Sequence, residues 1–178
     1  AANRRGKYLT CPLDTGEALM VHLRMSGQLL LVAAGTAHPA HTHVVMPLDD
    51  GNEMLFVDPR TFGEVVVYDP DNVAVEVPEL TTLGVDPLVD GVDAATFRQL
   101  FGHRSTRMKA LLLDQHLIAG IGNIYADEIL HACRIHPETP GVALRRSDFG
   151  ALAEHTPAIL EAAVKAGGST LGDAQYVD

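Results

Sequence analysis

The stretch from Leu117 to His136 constrains the fold of this chain more than any other. An apolar helical pattern stops at Gly120-Ile121-Gly122, Asn123 follows, and a second amphipathic run begins at once. This is the pattern of a helical hairpin with a glycine turn. Gly120 and Gly122 can take the positive φ values that a tight turn between helices needs. Asn123 has the side chain of an N-cap, and Asp127 and Glu128 are read as first-turn acids suited to the helix dipole. Such a helix start also offers free N–H groups to an anion, and a nucleic-acid phosphate is one such anion. On spacing alone an ordinary helical hairpin and an anion site both remain open.

A chain of 178 residues that is 47% hydrophobic can bury a core as one domain or two small ones. No run is apolar and long enough to span a bilayer. Cys11 and Cys133 stand far apart without a Cys-x-x-Cys motif, so neither a disulfide framework nor a zinc site is read. Two lone cysteines suit a reducing cytoplasm. The net charge of −10 weighs against a nucleic-acid partner, but it is unevenly spread. No Lys or Arg occurs between Arg60 and Arg98, whereas Arg4, Arg5 and Lys7 cluster at the start and Arg104, Arg107 and Lys109 precede the glycine turn. Local patches set binding; the negative total slows association and raises salt sensitivity.

Short β-type runs fill the first part of the chain: Tyr8 to Thr10, Leu19 to Leu23, Gln28 to Val32, His43 to Leu48, Met54 to Val57 and Gly63 to Tyr68. Asp14-Thr15-Gly16-Glu17 and Asp49-Asp50-Gly51-Asn52 supply turns, and the spacing suggests a small sandwich or barrel-like layer. From Asp69 to Asp93 the chain is acidic and carries Pro70, Pro78 and Pro87, as a connector would. Helical patterns follow. Thr96 to Phe101 opens them, Ser105 is read as the cap of a helix through Gln115, and Ser147 opens another. Thr156-Pro157 reads as a cap and first-turn proline restarting that helix, and Gly167-Gly168 as its end.

Few residues carry chemistry by pattern alone. Arg4-Arg5-Gly6-Lys7-Tyr8 is either a solvated basic strand start or a phosphate contact in which Lys7 helps proton transfer at a sugar. Met25, just before Ser26-Gly27, is by default a core filler, and Arg60 beside Phe62 in a turn is weak on its own. His41-Thr42-His43 lacks a third ligand, so no metal is assigned to it. No Ser, Cys or Thr nucleophile stands in a recognisable motif, and helix-start electrostatics explain Asp127-Glu128 better than paired-carboxylate catalysis does.

Four motifs in order give the chain a specific resemblance: Arg4-Arg5-Gly6-Lys7-Tyr8, Leu23-Arg24-Met25-Ser26-Gly27, Asp58-Pro59-Arg60-Thr61-Phe62-Gly63 and Gly120-Ile121-Gly122-Asn123-Ile124-Tyr125-Ala126-Asp127-Glu128. Together they resemble the formamidopyrimidine-DNA glycosylases, the Fpg/Nei group of base-excision repair enzymes, over nearly the whole chain. The resemblance implies an α+β fold in which an incomplete N-terminal β-sandwich precedes a helix–two-turn–helix helical domain. The sandwich and its acidic connector are expected over residues 1–93, and the helical domain over 94–178.

The implied activity is excision of oxidised purines from duplex DNA followed by β,δ-elimination at the abasic site, by a cytoplasmic monomer. Lys7 is implied as a proton donor, His41, Arg60, Lys109 and Asn123 as DNA contacts, and Met25, Arg60 and Phe62 as the wedge that fills the space left by an everted base. The family pattern also includes an N-terminal Pro-Glu, whose proline amine attacks the sugar, and a C-terminal zinc finger. This chain shows Ala1-Ala2-Asn3 and no such finger, so zinc is expected outside it and the 178 residues alone are expected to be inactive. Arg24 stands where many relatives carry glycine. Two alternatives stay open: a silent module that binds abasic or distorted DNA, and an interaction domain without a DNA role.

Overall fold

The computed structural model describes residues 1–167 and divides the chain into two compact units, Ala1–Thr81 and Thr82–Asp178. Residues 168–178, including Gly168 of the expected helix stop, lie outside the described residues.

The first unit is two antiparallel sheets. One runs in the order β1 (Asn3–Arg5), β2 (Tyr8–Pro12), β3 (Ala18–His22), β7 (Glu64–Tyr68); the other is β4 (Gln28–Ala33), β6 (Asn52–Val57), β5 (Thr42–Pro47). Met20, Leu55 and Phe56 are buried; Leu55 and Phe56 are neighbours on β6 and so are covered on opposite faces of their sheet. The strand Asn3–Arg5, unread in the sequence, pairs with β2 through a two-residue turn at Gly6-Lys7, where Gly6 takes φ +57°. In β5 the register slips between Thr42 and Val44, so His43 is the extra residue of a bulge. Residues of both sheets, among them Leu9, Leu19, Leu30, Val44, Met46 and Val65, line an apolar cavity of about 780 Å³. The acidic stretch after β7 is more ordered than a plain connector. It holds a 3-10 turn at Pro70–Asn72, the short α1 (Val73–Glu76) and a second 3-10 turn at Pro78–Thr81.

The second unit is helical. Its elements are α2 (Ala94–Phe101), α3 (Met108–Leu113), α4 (Asn123–Cys133) and α5 (Arg146–Lys165). They close on a core of Phe97, Phe101, Met108, Leu112, Ile129 and Leu152. The mixed fold of sandwich and helical unit is the one the sequence implies. Three helix ends differ from the sequence reading, each for a local reason. Ser105 does not cap α3, because the Met108 and Lys109 amides donate to the Thr139 and Pro137 carbonyls instead. The N-cap of α4 is Gly122 in extended conformation, and Asn123 is its first helical residue, which leaves Asp127 and Glu128 beyond the first turn. Pro157 does not restart a helix: α5 runs straight through it, with Phe149, Leu152, Thr156 and Leu160 on one buried stripe. The amide that proline lacks costs less than exposing that stripe would. Among the described residues no helix is long and apolar enough to cross a membrane.

Helix α4 ends at Arg134, a left-handed residue at φ +54° whose amide donates to the His131 carbonyl. Glycine removes the Cβ conflict of that conformation. Arg134→Gly should therefore raise stability by roughly 0.5–1 kcal/mol in thermal or denaturant melts; a loss would show that the arginine side chain matters more than the backbone.

Candidate nucleic-acid interface

In the first unit three loops meet at one residue. Asp58 follows β6 and is fully buried. Its Oδ1 accepts from the Ser26 hydroxyl and from the Arg60 amide at 3.2 Å, and its Oδ2 from the Gly63 amide at 2.7 Å. Its own amide donates to the His41 carbonyl at 3.0 Å, and its carbonyl accepts from His43 Nε2 at 2.8 Å. The bulge in β5 aims His43 at that carbonyl, and because a carbonyl only accepts, the imidazole carries its proton on Nε2. Burial on its own would push the Asp58 carboxyl up. Its hydrogen bonds from Ser26, Gly63, Arg60 and Phe62 outweigh that and hold it below the usual carboxylate range.

Each of these loops also contains a non-glycine residue in the left-handed region: Arg24 at φ +52°, His41 at +64° and Thr61 at +54°. Each such residue costs on the order of 1 kcal/mol and persists only where its surroundings fix it. Glycine is required at Gly27 and Gly63, where a Cβ would come within 2.5 Å of the Leu23 carbonyl oxygen and of the Phe56 ring respectively.

The loops carry Met25 and Arg60 in contact, and Phe62 two residues after Arg60. Met25 is 74% exposed and Phe62 58%, with Arg60 Nη1 lying 3.9 Å from Met25 Sδ. Large apolar side chains held out in water are costly unless a partner covers them. His41 is exposed on the third loop, next to Thr42 at the start of β5.

Lys7 sits in the β1–β2 turn and lines a cavity of about 330 Å³ with Arg4, Tyr8, His22 and Arg24. Crowding by protein atoms, then the Arg24 charge, lower its pKa, although the residue keeps solvent access. Arg24 reaches across to β7, where its Nη2 donates to Glu64 Oε1 at 2.7 Å, while its amide donates to Nδ1 of the buried His22. Burial and then Arg24 lower the His22 pKa, and its ring packs edge-on to Tyr8 at 4.5 Å, so it is a neutral structural histidine.

In the second unit Gln115 builds the glycine turn. Its side-chain amide donates to the Leu113 and Ile121 carbonyls, both at 2.9 Å, and its Oε1 accepts from the Gly120 amide. Gly120 alone of the two glycines needs positive φ, at +96°. The start of α4 receives no side-chain cap, and Asn123 is exposed on its first turn. Lys109 Nζ lies 2.8 Å and 2.9 Å from the two Asp127 carboxylate oxygens, so α4 holds the ammonium of α3 in place. Cys133 is not a nucleophile: burial, with Asp148 and Glu154 nearby, pushes its thiol up to about 11. Among the described residues no group of three or more His, Cys, Asp or Glu could hold a metal, so these residues do not fit a zinc site.

The first unit is thus a two-sheet body whose loops expose Met25, Arg60 and Phe62, and the second a helical body with an uncapped helix start and a lysine held next to it. The formamidopyrimidine-DNA glycosylase N-terminal domain matches residues 1–65, and the formamidopyrimidine-DNA glycosylase H2TH domain matches residues 83–175. The chain belongs to the formamidopyrimidine-DNA glycosylase family. It is 42% identical to the formamidopyrimidine-DNA glycosylase of Methylobacterium radiotolerans, over 98% of this chain and 65% of the relative. It is also 42% identical to that of Herpetosiphon aurantiacus, over 94% of this chain and 60% of the relative. Among solved structures, Lactococcus lactis Fpg in complex with DNA containing an abasic site superposes at a TM-score of 0.86 and 32% identity, over 96% of this chain and 62% of that one. The same enzyme with DNA containing Fapy-dG gives the same score over 98% and 65%. The chain thus spans about 60–65% of the length of the curated relatives it is compared with here.

Arg24 is the residue near Lys7 that the sequence could not interpret. A cation there disfavours the Lys7 ammonium, so Arg24→Gly should move the Lys7 pKa back toward its ordinary value, as read by NMR titration of 13C-methylated lysines. An unchanged Lys7 would mean that crowding alone sets it.

Proposed function

We propose that the protein carrying this chain removes oxidised purines of the 8-oxoguanine and formamidopyrimidine type from duplex DNA. It then cleaves the abasic site by β,δ-elimination, acting as a cytoplasmic monomer. The observation that carries this reading is the grouping of Met25, Arg60 and Phe62 as exposed side chains on loops fixed at a buried carboxylate. An everted base leaves a gap and an orphaned partner, and an apolar wedge with one multivalent donor suits both. Phe62 would stack between bases, Met25 would occupy the vacated space, and Arg60 would bond the widowed base.

Lys109 and Asn123 supply a cation and a polar side chain beside uncapped helix amides, which suits a phosphate, and His41 supplies a further backbone contact. Lys7, whose ammonium is disfavoured relative to an ordinary lysine by crowding and by Arg24, is suited to giving up a proton during elimination at the sugar.

The test is binding of residues 1–178 to a fluorescent duplex, with and without a tetrahydrofuran abasic analogue, across a salt series. Binding should weaken steeply with salt and favour the abasic duplex about tenfold or more, the ratio that ~1.4 kcal/mol produces. Lys109→Ala should weaken both complexes alike and reduce the salt slope by about 0.9. Salt-independent binding, or none, contradicts the reading.

A further inference from the structure

We propose that Asp58 is the positioning residue of the wedge, one buried carboxylate that keeps the Met25 loop and the Arg60–Phe62 loop assembled before any DNA arrives. The proposal rests on the damaged-DNA reading above and adds a residue that touches neither base nor phosphate.

Three observations carry it. First, the carboxylate joins elements far apart in sequence: Ser26 lies in the loop after β3, and Arg60 and Gly63 lie in the loop before β7. Through its backbone, Asp58 also holds the His41 and His43 segment. Second, every partner of the carboxylate is a donor, so both oxygens must be acceptors. An asparagine of the same size would have to aim its NH₂ either at the Gly63 amide or at Ser26 and Arg60, and that side would open. Third, Arg24, His41 and Thr61 hold left-handed backbone in the three segments that meet here. Loops that bend this way do not keep their shape without an anchor, and Met25 and Phe62 would otherwise fold back onto the protein's own apolar surface.

An assembled wedge loses little conformational freedom when it enters a gap, whereas a loose one pays that entropy at binding. The effect of Asp58 should therefore fall on lesion recognition and leave attraction to phosphates unchanged.

The experiment compares the full chain with Ser26→Ala, Ser26→Thr and Asp58→Asn. Each is bound to an undamaged duplex and to the same duplex with a tetrahydrofuran abasic analogue and 2-aminopurine at the neighbouring position, and far-UV circular dichroism confirms folding. Ser26→Ala should fold and bind the undamaged duplex about as wild type does. Its preference for the abasic duplex should fall about tenfold, the change expected from losing one bond to a charged acceptor, and the 2-aminopurine response should fade with it. Ser26→Thr, which keeps the hydroxyl, should restore both. Asp58→Asn should show the same pattern more strongly; if it fails to fold, the Ser26 pair decides the matter.

A wild-type preference and an unchanged 2-aminopurine response in Ser26→Ala would overturn the proposal. Equal weakening of both complexes would also overturn it, because it would make the network a general support of the fold. If the wild-type chain itself shows no preference for the abasic duplex, the damaged-DNA reading fails before any variant is compared.

Discussion

A carboxylate taken fully out of water must be surrounded by donors or give up its charge, and Asp58 has the donors. That one requirement shapes the functional end of the first unit. The amides of Arg60 and Gly63 must turn inward, which drives the chain through left-handed Thr61 and throws Arg60 and Phe62 outward. The Ser26 hydroxyl must reach in, which sets Met25 on the outer side of its own loop. A bulge in β5 brings His43 to the Asp58 carbonyl and places His41 beside it. The exposed residues are displayed because the polar groups next to them are committed to the interior.

The second unit solves a similar problem with a neutral group. Gln115 has both donors and an acceptor on one side chain, so it can satisfy two carbonyls and an amide of the glycine turn at once. The turn then needs no cap from Asn123, and the first amides of α4 stay available. Lys109 and Asp127 form a half-exposed ion pair, weak in stability terms but sufficient to restrict a long side chain. A phosphate would meet an ammonium already held in position. In both units a rigid side chain behind the surface fixes the backbone, and the surface residues follow.

Much of the fold was legible in the sequence, because period-two runs and glycine turns report backbone geometry directly. The strands from Tyr8 to Tyr68 stand where alternation and turn residues put them, and α4 starts directly after the glycines. But α3 stops at Leu113, and residues 114–122, read as helix up to Gly120, form a non-helical connector in which Ile118 bridges to Val85. The exposure of Met25 and Phe62 was not legible, since an exposed Met or Phe looks the same in sequence as a buried one, and the wedge role proposed for them comes from resemblance alone. What escaped reading depends on partners remote in the chain or on backbone atoms. Asp58 gave no sign of its role because its acceptor network runs to Ser26, 32 residues away, and to two amides. Ser105 and Asn123 have good capping side chains, yet the 137–139 carbonyls and extended Gly122 take those places. Pro157 looked like a break because local propensity is blind to the buried stripe that carries α5 through it.

The charge state of the buried Asp58 carboxyl holds the three loops together, and it can be measured without DNA. A 13C NMR titration of the aspartate carboxyl carbons, with Asp58 assigned, should show it still ionised below the ordinary aspartate value of about 3.9. Its stabilising contribution is then present in full above that pH and lost only as the pH falls through the lower folded-state value. A carboxyl that protonates at or above the ordinary value would mean that burial outweighs its donors, and the three loops would then have no common anchor.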